Sequence, residues 1–274
     1  MDVLWADRDT LPLDDRGLAY GDGLFETIRV QGAEPLLAAR HVQRLIGDAH
    51  RLAIPVEEAT IQSVMRQAVQ RYGRSPGADW VLKLMLTRGS GGRGYRLPAH
   101  PTPRLIVSAH EAPPIPPREG VAVALASDPL PQEFATAGMK SLNRLPQVLA
   151  SQGLEGDLWE HLMTDGDGGM LEGTRTNLLA RWGDQWLTPP VASLAVAGVA
   201  RSVAIDWLER EGAALREVSV PVSAIDDDRF QGLLLMNSVT GAVVVTRLGS
   251  QSLPCREPVW ALRDAINHRM GLNG

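Results

Sequence analysis

Of the 27 basic residues in the chain only two are lysines, Lys83 and Lys140; all the others are arginine. Lys140 lies in TAGMKSLNRL, a stretch with little charge around the amine. An isolated lysine is ordinarily a solvated charge. A desolvated one has its pKa lowered and becomes nucleophilic toward aldehydes. Two features downstream support the second reading. LEGTRTNLLA places a lone acid, Glu172, at the start of a strand. GVARS then opens a helix, whose first N–H groups, those of Val199 and Ala200, have no intrahelical acceptor and can meet a phosphate. An amine for an aldehyde, a carboxylate for a pyridinium nitrogen and an anion-binding helix start form the set that pyridoxal 5′-phosphate requires.

Other motifs are weaker. RGSGGRGY contains a literal G-x-G-x-x-G at Gly89, Gly91 and Gly94, but YRLPAHPTP follows and cannot form the helix that a dinucleotide fingerprint needs. The stretch reads either as a plain solvent loop or as a mobile loop bringing Arg88 or Arg93 to an anionic substrate, since arginine grips carboxylates bidentately. DGDGG lacks the later ligands of a calcium loop and reads as a tight hairpin turn. The six histidines show no zinc-type spacing, and His41 reads as structural or half-exposed, so no metal is expected. No G-x-S-x-G elbow marks a serine hydrolase.

The elements that must position these residues follow from periodicity. Strand alternation runs over 23–30, and helical spacing of Val42, Leu45, Ile46, Ala49 and Leu52 gives a helix over 38–53. A second helix is expected over 61–72, with strands over 80–88 and 104–110. The four prolines of EAPPIPPREG make 111–120 a linker between a domain over 1–110 and another over 121–274 that carries Lys140. In the second domain we expect strands over 121–127, 157–164, 169–182, 185–187 and 232–248, the last interrupted at NSVTG. Helices are expected to include 145–152 and to cover 198–210 and 258–270. Strands and helices mix without strict alternation, so both halves should be α+β. A hydrophobic share of 44% suits a globular core, and a net charge of −5 advertises no nucleic-acid surface. The single Cys255 excludes an internal disulfide, and no apolar run approaches the ~20 residues that span a bilayer, so a soluble cytoplasmic setting is expected.

Taken in order, GDGLFETIRV, RHVQRL, GMKSLNRL, LEGTRTNLL, AGVARSV and MNSVTG resemble the class IV aminotransferase family, the fold type IV pyridoxal-phosphate enzymes. The resemblance implies the two-domain α+β fold of the D-amino-acid aminotransferases and a homodimer with its site near the subunit interface. It implies that Lys140 bonds to the cofactor aldehyde and serves as acid and base, and that Glu172 faces the pyridine nitrogen. Arg44, Val199, Ala200 and Thr240 would hold the phosphate. Leu179 stands where the family usually has an aromatic residue, a change of packing. TRGSGGRGYRLP and MKSLNRL are similar to the aminodeoxychorismate lyase branch, which converts 4-amino-4-deoxychorismate to 4-aminobenzoate and pyruvate for folate synthesis. The alternative is an aminotransferase acting on branched-chain or D-amino acids. For a lyase, Arg88 or Arg93 would take a substrate carboxylate, and Arg29 and Thr27 could line the pocket.

Overall fold

The computed structural model describes residues 1–73, 78–131 and 135–272. They form two compact units, Met1–Pro113 with Met139–Asn143, and Pro114–Gly138 with Arg144–Gly274. The boundary falls within the proline-rich stretch, where no regular element lies between the strands on either side. Lys140 packs with the first unit, whereas the sequence reading placed it in a domain over 121–274.

The first unit contains β1 (Asp2–Trp5), α1 (Arg16–Tyr20), β2 (Gly23–Gln31), β3 (Glu34–Pro35), α2 (Ala38–Arg51), α3 (Glu58–Tyr72), β4 (Asp79–Thr87) and β5 (Arg104–Glu111). Its sheet has the order β1-β5-β4-β2-β3, antiparallel except for the parallel β1–β5 pair. Side chains alternate between the faces of a strand, so Leu24, Ile28 and Val30 of β2 enter one core with Val42, Leu45 and Ala49 of α2 and Ile61, Val64 and Ala68 of α3. Phe25, Thr27 and Arg29 point to the opposite face. β1 and α1 are too short to show a period in the sequence. Asp15 fixes the start of α1 by accepting the Gly17 N–H at 2.8 Å, and also takes Thr87 and Arg104.

The second unit contains β6 (Val121–Leu125), α4 (Leu145–Ala150), β7 (Leu158–Thr164), β8 (Gly169–Gly173), β9 (Asn177–Trp182), β10 (Gln185–Thr188), α5 (Val199–Arg210), β11 (Ala214–Glu217), β12 (Val220–Pro221), β13 (Phe230–Asn237), β14 (Gly241–Leu248), β15 (Gln251–Ser252) and α6 (Glu257–Arg269). Its strands run β11-β10-β9-β13-β14-β6-β7-β8-β12. β8 returns to β9 through the single pair Glu172–Asn177, so β6, β7, β8, β9, β13 and β14 close into a barrel-like circuit. Val123, Leu162, Met170, Leu178, Leu233, Leu235, Val243 and Val245 fill its core.

The stretch 169–182, expected as continuous strand, is broken at Thr174–Thr176. Glu160 of β7 causes the break. Its carboxylate accepts the Arg175 N–H at 2.6 Å and the hydroxyls of Thr174 and Thr176 at 3.1 and 2.6 Å. That reversal sets Glu172 opposite Asn177. Among the described residues no helix is long and apolar enough to cross a membrane.

Candidate active site

In the first unit the lysine segment is held as an extra edge of β2. The Phe25 N–H donates to the Lys140 carbonyl at 3.0 Å, and the Leu142 N–H donates to the Gly23 carbonyl at 2.9 Å. The Lys140 N–H donates to Asp48 Oδ2 at 3.1 Å. Both sides of the Lys140 backbone are therefore fixed, and its half-buried amine lies 4.1 Å from the centre of the Phe25 ring. An ammonium over an aromatic face is attracted by the ring quadrupole. Asp48 is itself buried, and burial pushes its carboxyl above the ordinary range.

Asp48, Arg44 and His41 lie on successive turns of α2, at helical spacing. Arg44 grips Glu26 bidentately, Nε to Oε1 at 2.8 Å and Nη2 to Oε2 at 2.6 Å. The fully buried His41 donates Nδ1–H to the same carboxylate at 2.6 Å, and burial lowers the imidazole pKa, so it stays neutral. Burial pushes the Glu26 carboxyl up, but the Arg44 charge outweighs it and holds the pKa at about 2. The guanidinium of Arg44 is thus locked in one orientation by a strand residue that sequence reasoning passed over. The signal was present: Glu26 falls on the apolar phase of β2, between Leu24 and Ile28.

In the second unit Glu172 is buried, and one of its oxygens accepts the Asn177 side-chain amide at 3.4 Å and the Val196 N–H at 3.3 Å. Asn177 also donates to the Val196 carbonyl at 2.9 Å. This amide joins β8, β9 and the approach to α5. Gly198 caps α5 without a side-chain hydrogen bond, and the first intrahelical bond runs from Ser202 N–H to the Gly198 carbonyl at 3.0 Å. The Val199 and Ala200 N–H groups precede it and keep their donors for an anion. A Cβ at Gly198 would lie 1.9 Å from Asn177 Oδ1, so only glycine lets the helix start approach the amide. Thr240 sits in a turn that Asn237 organises, its Oδ1 accepting the N–H groups of Val239 and Thr240 and the Thr240 hydroxyl at 2.9, 2.8 and 3.1 Å.

These donors fit pyridoxal 5′-phosphate by their chemistry. A buried carboxylate with a hydrogen-bonded oxygen suits a ring nitrogen that must stay protonated. A side-chain-free helix start suits a phosphate. An amine on an anchored backbone suits an aldehyde.

Two of the expected substrate residues, Arg88 and Arg29, take other tasks. Arg88 is buried, and its guanidinium is consumed. Nε and Nη2 hold Asp22 at 2.8 and 2.9 Å, Nη1 donates to the Ala53 carbonyl at 2.9 Å, and Nη2 also donates to the Leu52 carbonyl at 2.8 Å. The expectation that it clamps a carboxylate is corrected: it staples β4 to the end of α2. Burial pushes Asp22 up, but Arg88 and Arg16 outweigh it and hold it below the usual carboxylate range. Arg88→Met should therefore lower stability by about 2 kcal/mol, with Arg16 still pairing Asp22, and leave the substrate KM within a factor of two or so. Urea unfolding and steady-state kinetics check this; a raised KM at unchanged stability would restore the clamp. Arg29 is buried and paired with Asp79. Thr27 is half-buried on the same face of β2. Arg93 is exposed in the glycine loop, which Arg16 ties down by donating Nη1 to the Gly91 and Gly94 carbonyls at 3.2 and 3.1 Å.

The amino-transferase class IV description matches residues 23–248 of the chain. The crystal structure of 4-amino-4-deoxychorismate lyase from Pseudomonas aeruginosa is similar with a TM-score of 0.88 and 34% sequence identity, over 95% of this chain and 96% of that one. Aminodeoxychorismate lyase of Vibrio harveyi is 26% identical over 244 residues, 88% of each chain. D-alanine aminotransferase of Bacillus licheniformis is 29% identical over 256 residues, 90% of this chain and 86% of that one. The fold is that of the fold type IV enzymes. The chain belongs to the class IV aminotransferase family, whose members depend on pyridoxal phosphate.

Proposed function

We propose that this protein is an aminodeoxychorismate lyase, releasing 4-aminobenzoate and pyruvate from 4-amino-4-deoxychorismate. The observation that carries the reading is the likeness to the Pseudomonas aeruginosa lyase, at 34% identity over nearly the whole of both chains. The glycine-rich loop after β4 and the MKSLNRL stretch add to it. D-alanine aminotransferases match at comparable identity, so transamination is the second reading.

The cofactor supplies an aldehyde that bonds to amines and a pyridinium ring that accepts electrons. The chain's own residues do the rest. Lys140 Nζ is the amine that would hold the cofactor aldehyde. As a free amine, Nζ would take the proton from the substrate carbon that bears nitrogen, from a position set by the Phe25 ring and the anchored backbone. Glu172 would keep the ring nitrogen protonated, its own oxygen held by Asn177 and the Val196 N–H. Arg44, braced by Glu26, the Val199 and Ala200 N–H groups and Thr240 are the groups that would hold the phosphate. The new aromatic ring in the product supplies the thermodynamic pull, so the protein mainly orients one C–H bond.

The test is a pair of assays on the cofactor-loaded protein. With 4-amino-4-deoxychorismate, 4-aminobenzoate fluorescence should grow. With D-alanine and 2-oxoglutarate, glutamate should form far more slowly. Rapid glutamate formation with no 4-aminobenzoate would replace the lyase reading with the aminotransferase one.

A further inference from the structure

Lys140 is the middle residue of a tight turn. The Ser141 N–H donates back to the Met139 carbonyl at 2.9 Å, and the Met139 side chain is sunk in the core of the first unit. After Lys140 the main chain is tied to β2, through the Phe25 N–H on the Lys140 carbonyl and the Leu142 N–H on the Gly23 carbonyl. Before it, the Lys140 N–H meets a side chain, Asp48 Oδ2, at 3.1 Å and 92 residues away in sequence. Asp48 stands on a helix pinned at two points. One turn earlier Arg44 grips Glu26 of β2, and just past the helix end Arg88 of β4 donates to the Leu52 and Ala53 carbonyls. The Asp48 carboxylate is buried, and Arg51, 3.6 Å from its other oxygen, is exposed. A carboxylate in such a place is costly unless a donor meets it. Here a donor is the amide of the lysine.

We infer that Asp48 is a positioning residue for the Lys140 amine: by holding the Lys140 N–H it fixes the direction in which the lysine side chain leaves the main chain. The inference rests on Lys140 being the amine that meets the cofactor, and it is the same for the lyase and the aminotransferase reading. The direction of Cβ is set jointly by N, Cα and the carbonyl carbon. Phe25 holds the carbonyl side of Lys140, and Asp48 holds the nitrogen side. Without Asp48 the nitrogen loses this tie, and Cβ can swing about the bond that remains fixed. A small swing at Cβ grows along the lysine stem, so the amine leaves its place 4.1 Å from the centre of the Phe25 ring. A misplacement of about 1 Å in a reacting group can cost roughly a hundredfold in rate. An aspartate suits the task because its bond to a main-chain N–H is charge-assisted.

The test uses the cofactor-loaded protein, wild type beside Asp48→Leu and Asp48→Asn. Hydrogen exchange with mass spectrometry reads the Lys140 amide, and steady-state kinetics reads turnover in whichever of the two assays the wild type answers. A hydrogen bond to a charged group is worth a factor of about 10 to 100. Asp48→Leu puts an apolar group of similar size in a buried place and should keep its melting temperature within a few degrees. Its Lys140 amide should exchange faster by that factor. Its turnover should fall by about a hundredfold, with KM within about threefold of wild type. Asp48→Asn keeps an oxygen acceptor in place and should stay within about fivefold of wild type in both readouts. Unchanged exchange or unchanged turnover in Asp48→Leu overturns the inference. An equal loss in Asp48→Asn overturns it too, because the charge and not the hydrogen bond would then matter. Failure of Asp48→Leu to fold, or faster exchange along the whole of α2 in both variants, marks Asp48 as structural and overturns it as well. Each of these results leaves the role of Lys140 standing. That role falls separately, if borohydride fixes the cofactor on Lys83.

Discussion

Lys140→Ala is expected to fold normally and to lose at least about a thousandfold in turnover, since general acid–base transfer alone is worth 10²–10⁴. The fold should barely notice. The Lys140 N–H bond to Asp48 and the carbonyl bond from Phe25 belong to the backbone and survive the substitution. Losing the ammonium from the Phe25 face costs about 0.5–1 kcal/mol. The variant should still take up cofactor, because Arg44, the Val199 and Ala200 N–H groups and Thr240 are untouched. A small primary amine such as methylamine should restore part of the rate by replacing the missing base. Kinetics with and without added amine, beside a melting curve, measure all of this. Undiminished turnover would remove Lys140 from the chemistry.

Glu26→Gln should cost about 3–5 kcal/mol of stability at pH 7, the usual consequence of breaking a buried ion pair from one side. The neutral amide leaves Arg44 buried without its counter-charge and leaves His41 Nδ1–H with a weaker acceptor. The effect should depend on pH in a definite direction. The folded Glu26 pKa, about 2, lies below the ordinary 4.5. Its stabilisation is therefore complete above about 4.5 and disappears as pH falls toward 2. Wild type and variant should differ most at neutral pH and converge near pH 2–3. Denaturant unfolding at pH 7 and pH 3 makes the comparison. A gap of the same size at both pH values would mean that the Glu26 charge is not what braces Arg44. The same variant should bind inorganic phosphate and the cofactor more weakly, because Arg44 loses its fixed orientation.

Much of the candidate site rests on local pattern. The rarity of lysine singled out position 140, and a glycine before GVARS marked a helix start without a side-chain cap. The alternation of GLFETIRV placed β2 to within one residue. What local pattern missed has one physical cause, partners far apart in the chain. Arg88 looked like a clamp because it opens a glycine loop, and its true partner Asp22 lies 66 residues away. The break in 169–182 needs Glu160, a carboxylate contributed by the preceding strand, to pull Thr174–Thr176 into a reversal. The packing of Met139–Asn143 with the first unit depends on backbone bonds to β2 and on Asp48 of α2, more than ninety residues earlier. None of these has a signature within a short window.

The central claim is that Lys140 Nζ is the nitrogen joined to the cofactor. Borohydride reduction of the cofactor-loaded protein makes that join permanent, and trypsin with mass spectrometry then locates it. Because the chain has only Lys83 and Lys140, the answer is close to binary. The expected result is a pyridoxyl-phosphate mass increment on a peptide left uncut at Lys140 and ending at Arg144, with Lys83 unmodified. An increment on Lys83, or no increment on either lysine in protein that carries the cofactor, would contradict the account.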